Sequence, residues 1–287
     1  MEAAHWYKMA ADQETAEAQY SLGLLFAEGR GVVQSDSEAA KWYALAAKQG
    51  FPDAQYNMGI LFHVGRGVVQ NDEEAAKWWK KAAEQRVVLA VFNLGTVFEC
   101  GRGVLQSDVE AARWYQKAAE QGYAETQYKL GLMFAEGCSV AQNDAEAVQW
   151  YRKAADQGHA NAQCTLGVLF AEGLGVSQSD VEAMNWSRKA ADQGYAEAQC
   201  NVGVLFETGR GVAQSNEAEA ARWYQEAASQ GFDDAQYKLG KLYGECRGVD
   251  RSVEEAVQWY QEAAEQRHTD ARSRLAALLD NDGGVAV

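Results

Sequence analysis

GLLFAEGRGVVQSDSEAAKWYALAAKQG, from Gly23 to Gly50, sets two glycines around an arginine, then a polar step, then a run rich in alanine and aromatic residues. Taken alone, Gly29-Arg30-Gly31 is either a phosphate-cradling loop or a turn between two helices. A dinucleotide-type loop follows a strand and opens a helix with a third glycine. The rest of the chain decides, because it repeats the stretch. Trp6, Trp42, Trp78, Trp114, Trp150 and Trp186 recur every 36 residues, Trp223 comes one residue late, and Trp259 resumes the period. Gly23, Gly59, Gly95, Gly131, Gly167, Gly203 and Gly240 mark the other half of each unit. A fixed period of this length is the signature of a repeat array.

Each unit reads as two helices. In the first, A, Ala18, Leu22, Leu25 and Phe26 follow i, i+4, i+7, i+8 on one face. In the second, B, Ala39, Trp42, Tyr43 and Ala46 do the same. Helix B starts at a capping box, in which a Ser or Asn side chain and a Glu three residues on satisfy each other's backbone N–H groups. Ser35 with Glu38, Asn71 with Glu74, Ser107 with Glu110, Asn143 with Glu146 and Ser179 with Glu182 fit, and the inserted residue moves the next box to Asn216 with Glu219. Gly50, Gly122, Gly158, Gly194 and Gly231 stand where a helix end wants positive φ. Pro52 stands at a helix start, which tolerates its missing N–H. Gly29-Arg30-Gly31, repeated as Gly65-Arg66-Gly67, Gly101-Arg102-Gly103 and Gly209-Arg210-Gly211, follows a helix and is therefore an αα turn. The fold class expected is all-α, a solenoid of about eight 36-residue αα-hairpins, with residues 1–287 one array. Its last helix, within 268–281, carries Arg272 and Arg274 and reads as a polar cap, whereas the first helix has none.

The 287 residues carry a formal net charge of −15, with 41 acidic against 26 basic residues. That excludes a broad nucleic-acid footprint, which needs clustered cations. It favours a basic partner, although a solvated surface accounts for the charge equally well. Five cysteines form no CxxC pair, so a disulfide framework or zinc ribbon is not expected and a reducing, cytoplasmic setting is favoured. No apolar run is long enough to span a membrane, and the N-terminal segment, which opens inside a repeated motif, lacks a signal peptide's apolar stretch. Asn185-Trp186-Ser187 is a formal glycosylation sequon placed inside helix B, and it is discounted.

The pattern A-x-x-x-L-G-x-x-F/Y-x-x-G-x-G-V followed by A-x-x-W-Y-x-x-A-A-x-x-G resembles the Sel-one-like repeat family, a relative of the tetratricopeptide repeats. The resemblance covers essentially the whole chain. It implies a right-handed α-solenoid with A helices lining a concave groove, B helices on the convex back, and an adaptor role between proteins. A cysteine-rich branch linked to penicillin binding pairs a Cys in helix B with one in the following helix A. Cys164 and Cys200 occupy the helix A position here, but Ala155 and Ala191 stand where their partners would be, which disfavours a hydrolase of that branch.

No enzyme is legible in the residues. His5, His63, His159 and His268 read as falling in no common column and have no i, i+4 ligand partner, and no G-x-S-x-G motif occurs; neither catalytic residues, a metal nor a cofactor is expected. The aromatic residues are expected to fill the core, since each buries roughly 150–250 Å². Ser187 departs from the Tyr/Trp column of helix B and leaves either a soft spot or a small pocket. Arg30, Arg66, Arg102, Arg210 and Arg247 form a ladder interrupted by Cys138 and Leu174. It grips either an acidic partner or nearby acids such as Asp36 and Asp108.

The candidate site is the face of helix A opposite Leu22. One column reads Tyr20, Tyr56, Phe92, Tyr128, Cys164, Cys200, Tyr237, and the next includes Leu24, Ile60, Thr96 and Leu132. Asp53 and Glu125 flank them, and Leu89 replaces an acid at the groove's edge. An apolar stripe on the outer face of an amphipathic helix needs an explanation. It packs against neighbouring A helices, or it is a binding floor with an acidic rim. The partner expected is a protein or peptide segment with apolar anchors and basic flanks, without nucleic acid or membrane insertion. Self-association through the uncapped first helix and a purely structural assembly subunit are the other readings.

Overall fold

A computed structural model of the chain describes residues 2–138 and 140–282, and among these it contains sixteen α-helices and no strand. They fall into two compact units, residues 1–142 and 143–287. In the first unit the B helices are α1 (Glu2–Ala11), α3 (Asp36–Lys48), α5 (Asp72–Glu84) and α7 (Asp108–Glu120). They alternate with the A helices α2 (Ala16–Glu28), α4 (Pro52–Val64), α6 (Val88–Cys100) and α8 (Ala124–Glu136). In the second unit the B helices are α9 (Asp144–Asp156), α11 (Asp180–Ala191), α13 (Glu217–Ser229) and α15 (Val253–Glu265). Their A helices are α10 (Ala160–Glu172), α12 (Ala196–Thr208), α14 (Asp233–Glu245) and α16 (Thr269–Asp282). Within each unit every helix packs on its neighbours in the chain. No described helix is long and apolar enough to cross a membrane.

The helix starts are partly as the sequence predicts. Ser35, Asn71, Ser107, Asn143, Ser179, Asn216 and Ser252 each accept the N–H of the Glu three residues on. Among the described residues the reciprocal half of the capping box does not form at Ser35 or Asn71. The Ser35 N–H donates to the Phe26 carbonyl at 2.9 Å and the Asn71 N–H to the Phe62 carbonyl at 2.8 Å, so the preceding A helix satisfies them. The freed carboxylates pair along their own helix, Glu38 with Lys41 at 2.5 Å and Glu74 with Lys77 at 2.9 Å. His159 and His268 share a column after all. Both sit just before an A helix, where Nδ1 accepts the N–H of Ala162 and of Ala271 at 3.2 Å.

The turn between A and B needs both of its glycines. Gly65 ends α4 in the left-handed region at φ 77°, and its N–H closes on the Leu61 carbonyl. Gly67 also has positive φ, and a Cβ there would collide with the backbone of Asp36 at the start of the previous B helix. At B-helix ends the left-handed position belongs to Gly50, Gly122, Gly158, Gly194 and Gly231, but Glu14, Arg86 and Arg267 take it at φ 61°, 64° and 73°.

The core is alanine from helix B against Leu, Met or Val from helix A. Ala39, Ala46, Ala54 and Met58 form one such cluster, and Ala75, Ala82, Ala90 and Leu94 the next. Beyond the exposed Tyr7, the Tyr column of helix B is buried, and its rings lie against the helix A glycine: a Cβ at Gly95 would stand 2.5 Å from Tyr115 Cδ1. The Trp column is less uniform: Trp42, Trp78 and Trp114 are half-buried, Trp150 and Trp186 are buried, and Trp6 is 65% exposed. Lys81, Lys117, Lys153 and Lys189 lie over the ring of the Trp three residues earlier at 3.6–4.2 Å, a geometry that covers the ring and stabilises the cation. Asn185-Trp186-Ser187 does lie within a helix, α11, where Trp186 and Ser187 are buried.

One column escapes the periodicity argument. Gln19, Gln55, Gln127, Gln163, Gln199 and Gln236 are buried in the apolar face of helix A. Gln55 Nε2 donates to the Ala47 carbonyl at 3.2 Å, and its Oε1 accepts from Gln85 Nε2 at 2.9 Å, tying helix A to the B helices on both sides. The same pair of contacts recurs at Gln163, with Ala155 and Gln193, and at Gln236, with Ala228 and Gln266. A buried amide is tolerated because it is hydrogen-bonded. In α6 the column holds Val91, and Gln121 turns to its own helix, donating to the Lys117 carbonyl.

Candidate functional site

The residues expected to line the groove are neither fully core nor free. Tyr20, Tyr56, Phe92, Tyr128 and Tyr237 are all half-buried. Tyr20 packs on Tyr43 and Phe51 at 5.7 and 5.0 Å between ring centres, and Phe92 on Tyr115 and Tyr123 at 5.9 and 5.5 Å. Tyr237 packs on Tyr260 and stacks on His268 at 4.7 Å. Each ring therefore joins its own A helix to the next hairpin. Cys164 and Cys200, in the same column, are buried free thiols that burial pushes up to about 12. Asp53 is exposed, Glu125 half-buried, and Leu89 is 37% exposed.

Beside this column lies a set of cavities whose lining repeats with the sequence. In the first unit, Tyr56, Ile60, Asn93, Thr96 and Arg102 surround a cavity of about 190 Å³ between α4 and α6, with Trp79 of α5 beneath. One repeat on, Lys129, Leu132, Met133 and Cys138 stand in the columns of Asn93, Thr96, Val97 and Arg102, and Tyr115 in that of Trp79. They surround about 300 Å³. In the second unit the same columns reappear as Ser187, Asn201, Val204, Leu205 and Arg210 around about 200 Å³. Ile60 and Leu132 thus line cavities, and Tyr56 joins them. Tyr20, Phe92, Tyr128 and Tyr237 line none of the three. At Ser187 a cavity is present. Two other cavities open beside the tryptophans of the B helices, about 340 Å³ at Trp114 and about 300 Å³ at Trp223, walled by Lys and Arg stems and Glu.

The electrostatics differ from cavity to cavity. In the first, His63 Nδ1 lies 2.7 Å from Asp72, and the Arg102 side chain makes no ion pair or hydrogen bond among the described residues. In the second, Tyr115 donates to Glu99 at 2.6 Å, Lys129 reaches Glu99 at 3.3 Å, and Asp108 and Glu136 complete an acidic wall. Burial first, and then Glu99, holds the Tyr115 hydroxyl well above its usual range, so it remains a donor. The arginine ladder is mostly spoken for. Arg66 pairs with Asp36, Arg210 with Asp180 and Arg247 with Glu217, each with the first acid of the B helix 30 residues earlier. Arg30 pairs with Glu28 at 2.9 Å. Among the described residues no group of His, Cys, Asp and Glu is arranged to hold a metal ion.

The model for the Sel1 repeat matches residues 1–14, 16–51, 52–87, 88–123, 124–159, 160–195, 196–232 and 233–268. Among solved structures the chain is similar to c5321, a protective antigen present in uropathogenic Escherichia coli strains that displays an SLR fold. Identity there is 37%, with a TM-score of 0.93, over 96% of this chain and 59% of that one. The chain therefore spans less than two thirds of that relative's length. A Sel1 repeat protein from Oxalobacter formigenes is 32% identical over 96% of this chain and 79% of that chain, with a TM-score of 0.76. No curated protein sequence matches the chain. Eight matched repeats and two like-folded relatives above 30% identity place this chain in the Sel1 repeat family, all-α repeat solenoids that in general mediate protein–protein interaction.

Proposed function

We propose that the chain is a non-enzymatic adaptor that holds an extended peptide segment of a partner protein along the A-helix face of residues 1–142. The observation that carries this reading is the recurrence of one cavity in successive repeats, with equivalent columns lining both. An extended segment advances about 3.3 Å per residue, so its side chains are able to enter repeat-spaced cavities in turn. Ile60, Thr96, Leu132 and Met133 supply apolar lining, while Arg102, Asn93, Lys129 and the acids supply orientation. Concave, mostly apolar sites with a few placed polar groups are the usual form of ligand pockets. Leu89 adds an exposed apolar group on α6, and Asp53 and Glu125 flank the aromatic column. The acids favour a basic segment and would speed its association more than they tighten it. Family membership supports the adaptor reading, since Sel1 repeat solenoids are typically non-enzymatic. The cysteine-rich hydrolase branch gains no support: the described cysteines are free thiols, and Ala155 and Ala191 pack in the core.

The test is selection of a displayed peptide library on the immobilised protein. It is followed by titration of a selected peptide against wild type, Ile60→Glu with Leu132→Glu, and Lys80→Glu on the opposite face. The first variant should lose binding at least tenfold while far-UV circular dichroism is unchanged, and the second should bind as wild type. Peptides that bind the Ile60 and Leu132 variant at full strength would place the site elsewhere and sink the reading.

A further inference from the structure

Two rungs of the arginine ladder are missing where their acids remain, at Asp108 and at Asp144. Asp36, Asp180 and Glu217 open their B helices, and each holds the guanidinium of the turn one repeat later: Arg66 at 2.6 Å, Arg210 at 2.6 Å and Arg247 at 2.7 Å. Arg210 shows the full seat. Its Nε and Nη2 both donate to Asp180, and Nη2 also donates to the Ala171 carbonyl at 2.6 Å, which accepts Gln178 as well.

Asp108 has the same place at the start of α7, and Ala135, one repeat before Ala171, offers the same carbonyl, already accepting Gln142 at 3.0 Å. The turn there carries Cys138. The thiol is too short to make the bridge, and its one side-chain hydrogen bond among the described residues is to Glu136, at 3.6 Å. The Asp108 carboxylate makes no ion pair or hydrogen bond among the described residues. The space shows the loss: the cavity is about 300 Å³ here, against about 190 and 200 Å³ where Arg102 and Arg210 stand in the equivalent position. Its acids are Asp108, Glu136 and Glu99, and the one lysine, Lys129, is engaged with Glu99. Asp144 also lacks an arginine, but Leu174 puts an apolar side chain in that place, whereas Cys138 leaves it open.

We propose that the cavity at Asp108 is a subsite for the guanidinium group of an arginine in the bound peptide, occupying in trans the seat that Arg66, Arg210 and Arg247 occupy in cis. This rests on the peptide-binding reading above and names one residue of the ligand. A planar guanidinium matches a carboxylate with two parallel donors and has a further N–H for the Ala135 carbonyl, whereas an ammonium is a point charge without that fork. The floor of Tyr115, Leu132 and Met133 suits the apolar stem of the same side chain.

The probe is N-acetyl-arginine amide, titrated into the protein and followed by amide shifts in residues 99–138. N-acetyl-lysine amide and the neutral isostere N-acetyl-citrulline amide serve as comparisons. Saturable shifts are expected for arginine, at least tenfold weaker for citrulline and weaker for lysine. Asp108→Asn should weaken arginine binding at least tenfold. Cys138→Arg should abolish it by closing the seat from within, and the seat's threefold use elsewhere in this chain indicates that this variant folds. A second readout is alkylation of Cys138, slowed by bound arginine while the exposed Cys100 and Cys246 react at unchanged rates. Equal binding of citrulline, or undiminished binding by Cys138→Arg, overturns the subsite. The two readings fail separately. Library peptides that depend on Ile60 and Leu132 but not on Cys138→Arg remove the subsite and keep the peptide face. Arginine binding that Cys138→Arg abolishes, with no peptide selected on that face, does the reverse.

Discussion

Ser187→Phe should stabilise the protein, and the reason lies in one glycine. Every other described helix B position in this column is aromatic, and Tyr115 shows the arrangement, its ring lying against Gly95. Ser187 is 1% exposed and leaves about 200 Å³ open in front of Gly167. Burying roughly 150–250 Å² of ring at about 25 cal/mol per Å² sets a ceiling of about 4–6 kcal/mol. The open mouth of the cavity and lost rotamer freedom reduce this to about 1–3 kcal/mol. Phenylalanine is the better replacement, because the Glu99 that takes the Tyr115 hydroxyl has Ala171 as its counterpart. The glycine supplies the check. In wild type, a Cβ on Gly167 meets the Ser187 hydroxyl, which is free to turn aside, and stands 3.2 and 3.3 Å from Ser187 N and Ala183 O. Alanine's helix preference of about 1 kcal/mol over glycine offsets that crowding, so Gly167→Ala alone should be close to neutral. Combined with Ser187→Phe, the same Cβ would strike the introduced ring, a cost of about 1–3 kcal/mol. Urea unfolding of the four proteins of this double-mutant cycle measures the coupling, with hydrogen exchange in α10 and α11 as the local readout. A destabilised Ser187→Phe, or a coupling below about 0.5 kcal/mol, would refute the claim that the missing aromatic shapes this cavity.

Three other outcomes follow from the same geometry. Arg86→Gly should raise stability by about 1 kcal/mol, because φ of 64° strains any residue with a Cβ; thermal melts check it, and Gly122→Arg should show the opposite sign. Gln55→Ala removes the hydrogen bonds to Ala47 and Gln85 and should cost about 1–3 kcal/mol, more than Gln85→Ala on the exposed side, by urea denaturation. Cys164 and Cys200, raised from 9.0 to about 12 by burial, hold their protons longer than in the unfolded chain. Their contribution is therefore whole below about pH 9 and declines between about 9 and 12, by at most about 1.4 kcal/mol per pH unit per thiol. Cys164→Ala with Cys200→Ala should flatten that decline, and iodoacetamide at pH 8 should spare both in the native protein.

The period, the helix pair in each unit, the helix starts at Ser35 and Asn71 and the turn at Gly29-Arg30-Gly31 were all legible in the sequence. They depend on residues within a turn or two of each other, where the 3.6-residue period, a cap or a positive φ is a local matter. What the sequence left open involves partners about 30 residues apart. Gln55 meets Gln85, Arg66 meets Asp36, and Gly67 is glycine because Asp36 of the previous hairpin lies against it. The Ser35 N–H turns to Phe26 rather than to Glu38 for the same reason: a packed neighbour outcompetes the local side chain. The aromatic column at Tyr20 and Phe92 likewise reads on a helical wheel as an outer face, yet the next hairpin covers half of it. Which positions then remain open, at Ser187 and at Cys138, follows from the size of a side chain set against a neighbour that only the packing of one hairpin on the next brings there.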